Sequence, residues 1–194
     1  MTKRLLHNAQ VIDPEAGTIT RADIRIENGL ITQVSQSPLS ANPNEHSVDC
    51  HNKYLTPGII DIGVKVCEPG ERHKESFKSA GLAAAAGGIT TMVTRPDTTP
   101  AIDSPETLEF IARRANQATP VNVIPMAALT KGRNGREMSE IGFLMDAGAI
   151  AFTDCDHVVS NPKVFARALS YACALGALVI AHPQEPTLSK GAAA

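Results

Sequence analysis

The stretch PGIIDIGVKVCEPG, residues 57–70, places Gly63, Lys65 and Cys67 two residues apart. That spacing puts side chains on one face of a β-strand. Ile62, Val64 and Val66 are then expected on the other face, in packing. A glycine, a cation and a thiol opposite an apolar face suit the wall of a site better than a solvent-facing strand. Further polar residues follow strand-like runs: Arg95 and Asp97 after ITTMVT, Asp154 and Asp156 after GAIAFT, His182 and Glu185 after ALVIA. Where parallel strands alternate with helices, chemistry collects at the carboxyl ends of the strands, so these residues are expected along one edge. Each also has an ordinary reading. An aspartate after a strand often caps a helix, which fits Asp156, and a lone histidine such as His182 often serves as a hydrogen-bonded wall residue.

Metal and thiol motifs are missing from the pattern. His7, His46, His51, His73, His157 and His182 include no HxH or HxxxH pair, so no motif alone builds a histidine metal site. Cys50, Cys67, Cys155 and Cys173 include no CxxC and read as free thiols.

The elements that must position these residues fall into two rhythms. Up to residue 56 the chain alternates as sheet: LLHNAQVID, ADIRIENG and GLITQVS, then a polar loop, then VDCHNKYL. Asn28-Gly29 between alternating apolar residues is a hairpin signal. From residue 57 onward, short apolar runs alternate with helical ones, giving five strands and four helices. HKESFKSAGLAAAAGG, SPETLEFIARRANQA, REMSEIGFLMDAG and NPKVFARALSYACALG are the helical stretches, and Ser104 with Pro105 reads as the cap and first turn of the second. Such alternation predicts right-handed βαβ units around a parallel sheet. Eight units need about 200–250 residues, more than residues 57–194 provide. The expected architecture is therefore α/β: a small β-rich domain at 1–56 and a partial parallel (β/α) barrel of the TIM type at 57–194, on a chain expected to be a fragment of a longer protein. The strand edge after ALVIAH is expected to be covered by another chain or by further residues.

Composition narrows the partners. A hydrophobic content of 43%, a charged content of 20% and a net charge of −2 are those of an ordinary soluble domain. They leave no basic footprint for nucleic acid or a membrane surface. The apolar runs are too short and glycine-rich to span a bilayer, and MTKRLLHNAQVID lacks a signal-peptide core. A cytoplasmic location is expected.

PGIIDIGVKVCEPGERHKES and GLAAAAGGITTMVTRPDTTPAID, with AFTDCD and LGALVIAHPQEP, resemble the dihydroorotases among the cyclic amidohydrolases, whose typical form is PGxIDxHxHxREPGxxHKE followed by AAAAGGxTTxxxMPNTxPxxD. The HKE run favours dihydroorotase over allantoinase. The resemblance implies a zinc-dependent hydrolase that interconverts dihydroorotate and carbamoyl aspartate. It also implies that Gly63 and Lys65 stand where two histidine ligands would, Cys67 where an arginine holds the substrate carboxylate, and Asp97 where an asparagine assists. Asp154 and His182 match a retained aspartate and histidine of the metal site. A glycine offers no ligand and a protonated lysine repels a divalent cation, and two surviving ligands are fewer than the three of a catalytic zinc site. No cofactor is then expected, and no catalytic residue on this chain. The expected function is that of a non-catalytic dihydroorotase-like protein in pyrimidine biosynthesis, a structural partner of aspartate carbamoyltransferase and a homo-oligomer. The alternative is an active cyclic amidohydrolase with a reorganised site. Lys65 is expected to pair with Asp154, its charge standing in for the metal's.

Overall fold

The computed structural model describes residues 2–185, 188 and 189. The chain divides after Pro57 into two compact units. The first holds five strands: β1 (Lys3–Asp13), β2 (Thr18–Glu27), β3 (Leu30–Ser35), β4 (His46–Asp49) and β5 (Tyr54–Leu55). They form one sheet in the order β3-β2-β1-β4, with β5 also on β1. The β2–β3 hairpin turns at Asn28 and Gly29, both at positive φ (53° and 82°), the geometry for which Asn-Gly is selected. β1 carries a bulge between Leu6 and Ala9. There the buried Asp23 accepts from the Asn8 and Leu39 amides at 2.9 and 2.8 Å. Arg25 ties this sheet to the following loop through Glu45, Nε to Oε1 2.8 Å. The Arg25 hydrogen bond and the Asn42 amide hold the Glu45 carboxyl below its ordinary value.

The second unit is an α/β array. Its strands are β6 (Ile59–Val64), β7 (Ile89–Thr94), β8 (Asn122–Pro125), β9 (Ala151–Phe152) and β10 (Leu178–Val179), with helices α1 (Phe77–Ala86), α2 (Pro105–Ala118), α3 (Ile141–Asp146) and α4 (Pro162–Leu175) between them. β6, β7 and β8 pair in parallel, as do β9 and β10, and a parallel bridge between Ala127 and Phe152 joins the two groups. The strands thus run in chain order. Among the described residues, β6 and β10 are each paired on one side only.

Local chemistry sets the helices. Ser76 and Ser79 cap α1 reciprocally, Ser104 with Pro105 opens α2, and Asn161 caps α4, which ends at a left-handed Gly176. α3 is much shorter than the run from Arg136 suggests. Residues 130–139 instead double back, with Lys131 N donating to Glu137 O at 2.8 Å and Ser139 N to Leu129 O at 3.0 Å. Beneath the helices lies a core of Phe77, Met92, Leu108, Ile111, Ile141, Leu144 and Phe152.

One expectation about β6 is overturned. Ile62, Val64 and Val66 do not share a face. Gly63 has φ +94° and is skipped in the register, with Ile62 opposite Val93 and Val64 opposite Thr94. Such a bulge reverses the alternation. Val64 and Val66 pack on the helix-side core, whereas Ile62 lines the opposite, open face with Met126 and Ile180.

Candidate functional site

The residues following β6, β7, β8 and β9 converge on a chain of alternating charge. Lys65 Nζ lies 3.0 Å from Asp97 Oδ2. Arg95 grips the same carboxylate in a fork, Nε to Oδ1 at 3.2 Å and an Nη to Oδ2 at 2.8 Å. The Arg95 guanidinium also stands 3.8 Å from Asp156 Oδ1, and Arg133 donates to that oxygen at 2.5 Å. The Asp97 side chain is 3% exposed, whereas that of Lys65 is 50% exposed. The Asp97 hydrogen bond raises the Lys65 ammonium above its ordinary value. Burial works against the Arg95 charge, but Asp97 and Cys155 together outweigh it and raise the guanidinium above its ordinary value. Burial likewise pushes at Asp156, and its own backbone amide and Arg133 prevail to keep it ionised.

This arrangement corrects the expected pairing of Lys65 with Asp154. Asp154 is 4% exposed and its two oxygens take the Thr130 amide and hydroxyl, the amide at 3.0 Å. Asp97 follows β7, the direct neighbour of β6, while Asp154 follows β9, three strands along. The nearer carboxylate takes the lysine.

A cavity of about 410 Å³ opens beside this network, with Gly63, Arg95, Thr153, Cys155, Asp156 and His182 in its wall. His182 and Asp154 also line a neighbouring cavity of about 290 Å³. His182 is exposed, with Nε2 3.0 Å from Gln184 Oε1. Glu185 Oε2 accepts from the Leu188 amide at 2.6 Å. Cys67 is half-buried, and its carbonyl accepts from the Glu71 amide at 2.8 Å; it is not part of the cavity wall. The cavity therefore gathers Gly63, Arg95, Asp156 and His182 but neither Cys67 nor Glu185.

Sequence reasoning passed over Arg133, Thr130 and Cys155. Arg133 and Thr130 belong to TKGRNG, a polar, glycine-bearing run that follows the apolar stretch VNVIPMAAL containing β8, so the strand-end rule that found Asp97 extends to them. Cys155 sits at φ 57° with its amide on Thr153 Oγ1 at 2.9 Å. Burial and Asp97 push its thiol up, opposed by Arg95 and Arg133, so it is disfavoured as a thiolate nucleophile. Glu68 of the EPG run proves to be structural. Its Oε1 accepts from Arg114 Nε at 2.7 Å and its Oε2 from the Phe77 amide that opens α1, at 3.0 Å.

The donor set does not fit a zinc ion. Gly63 has no side-chain ligand, Lys65 brings a cation already bound to Asp97, and both Asp154 oxygens are engaged by Thr130. Among the described residues no three His, Cys, Asp or Glu side chains could hold a metal ion together, short of a catalytic zinc's three ligands. No described helix is long and apolar enough to cross a membrane.

Comparison with known proteins gives the lineage of this arrangement. The family model described as Dihydro-orotase-like matches residues 52–194. The dihydroorotase of Trichlorobacter lovleyi is 35% identical over 93% of this chain and 42% of its own length. That of Geobacillus kaustophilus is 38% identical over 91% and 41%. Less than half the length of these relatives is thus spanned by the chain. Among solved structures, the L-hydantoinase (dihydropyrimidinase) of Arthrobacter aurescens aligns with TM-score 0.83 and 21% identity over 98% of this chain and 42% of that one. A dihydroorotase crystal structure aligns with TM-score 0.64 and 12% identity over 96% and 52%. These two likenesses speak for the fold alone, an α/β fold shared with those two structures. By the family match and the identity of its relatives, the chain belongs to the dihydroorotase-like family.

Proposed function

We propose that this chain is part of a cytoplasmic dihydroorotase-like protein of pyrimidine biosynthesis that does not catalyse, and that it serves as a structural partner of aspartate carbamoyltransferase within a homo-oligomeric assembly. Residues 58–194 are then the first five strands of a (β/α) barrel that further residues complete. One observation carries the reading. The two positions at which the family resemblance implies histidine ligands are a bulged glycine at φ +94° and a lysine 3.0 Å from a buried carboxylate. A metal-activated water needs open, anionic or neutral donors, and here a cation and an internal ion pair stand in that place. The retained Asp154 is committed to Thr130, which fits a residue kept for packing and hydrogen bonding.

The test is elemental analysis and dihydroorotate turnover on the full-length protein, with co-purification against aspartate carbamoyltransferase. No stoichiometric zinc, no turnover and a stable complex are expected. Turnover with stoichiometric zinc would overturn the reading, and turnover that survives chelation would establish the alternative, a cyclic amidohydrolase with a reorganised site.

A further inference from the structure

We propose that Lys65 and Arg95 form a receptor for a small carboxylate at the edge of the strand-end cavity, and that Asp97 is its built-in occupant. Two cations converge on one carboxylate: the Arg95 fork at 3.2 and 2.8 Å and Lys65 at 3.0 Å. Bidentate arginine with a second cation is how carboxylate ligands are recognised. The Asp97 side chain is 97% covered, from its 3% exposure, as a bound ligand would be.

The framework distinguishes site from occupant. Lys65 and Arg95 stand at the ends of neighbouring parallel strands, and the Arg95 amide continues the ladder by donating to Val64 O at 2.9 Å. Their positions follow from the sheet. Asp97 comes from the loop beyond, which other bonds hold: Ile102 N donates to Pro96 O at 3.1 Å and Ala128 N to Ile102 O at 2.7 Å. Losing the Asp97 carboxylate therefore leaves the backbone that carries both cations supported by bonds that do not involve it. Arg95 also lines the cavity of about 410 Å³, and the Lys65 side chain is half-exposed to solvent. The inference goes beyond the missing zinc chemistry and does not depend on it, because it concerns what the site takes instead.

The experiment is chemical rescue in the full-length protein. Asp97→Ala is titrated with sodium acetate or sodium chloride at matched ionic strength, and the thermal midpoint is read. A saturable, acetate-specific rise of about 2–4 °C is expected, with no such rise in wild type and its loss in Asp97→Ala combined with Arg95→Met. Equal effects of acetate and chloride, or the same acetate rise in wild type, would overturn the proposal. Should Asp97→Ala fail to fold in chloride, recovery of folded protein on refolding in acetate supports it, and failure in both buffers refutes it. The readout is thermal rather than turnover, so its failure is separate from any failure of the non-catalytic reading.

Discussion

Asp97 Oδ2 is shared between two cations that directly follow adjacent strands, Arg95 at 2.8 Å and Lys65 at 3.0 Å, yet the two contacts are not equivalent. Arg95 adds a second bond to Oδ1 and is 30% exposed in its side chain, whereas Lys65 makes one contact and is 50% exposed. Solvent screens the lysine pair and side-chain entropy weakens it further.

Double-mutant cycles should rank these contacts. Lys65→Met is expected to cost under about 1 kcal/mol, as for half-exposed ion pairs. Arg95→Met should cost about 1.5–3 kcal/mol, because it removes two charge-assisted bonds from a covered carboxylate. The coupling between Lys65 and Asp154 should be near zero, since Asp154 is satisfied by Thr130. Urea unfolding of the single and double variants measures all three, and a Lys65–Asp154 coupling larger than that of Lys65 with Asp97 would refute the geometry.

Gly63 makes the loss of the histidine pair difficult to reverse. A Cβ built there meets nothing within 4 Å, but φ is +94°, a conformation that costs a non-glycine residue about 1–3 kcal/mol. Space is available and the backbone is not. Gly63→His with Lys65→His is therefore expected to lose stability and to bind zinc below one equivalent by elemental analysis. A stable double variant with a full equivalent of zinc would show that the bulge relaxes.

How far the sequence could be read depended on the range of each interaction. Ser104-Pro105 and Asn28-Gly29 act on their own backbone within a few residues, and both do what their types predict. The five parallel strands follow from apolar runs spaced by helices. Gly63 defeated simple alternation because a single glycine in a strand is compatible with regular pairing and with a bulge alike. The partner of Lys65 was missed because residue matching ranks carboxylates by family position, while the sheet ranks them by strand adjacency. Arg133 was missed because its role depends on residues 130–139 folding back, of which residues 136–139 read as the start of α3.

Thr130 should prove as important to the strand ends as any charged residue. It is fully buried. Its hydroxyl donates to Asp154 Oδ2 and accepts from the Gly135 amide at 2.9 Å. Thr130→Val keeps the shape, strips a bond from a buried carboxylate and orphans an amide. A cost of about 1.5–3 kcal/mol is expected from charged hydrogen-bond losses, whereas Thr130→Ser should retain most of the stability. Equal midpoints for the valine and serine variants in urea would refute a role for the hydroxyl.

Glu68 should give the fold an acid-sensitive joint. Burial pushes its carboxyl up, but the Arg114 bond, the Phe77 amide and the Arg114 and Arg72 charges outweigh this and hold it below the ordinary range. Because the folded value lies below the unfolded one, near 4.3, the folded state favours the carboxylate. The resulting stabilisation is fully present above about pH 4.3 and is lost as pH falls through the lower folded value. Glu68→Gln removes the charge that joins the start of α1 to Arg114 of α2, so at pH 7 it is expected to cost about 1–3 kcal/mol. The gap between wild type and variant should narrow as the wild-type carboxylate is protonated. Denaturation midpoints measured from pH 7 to pH 3 test this directly: a gap that is constant across the range, or that widens in acid, would mean that the Glu68 charge is not what ties these two helices together.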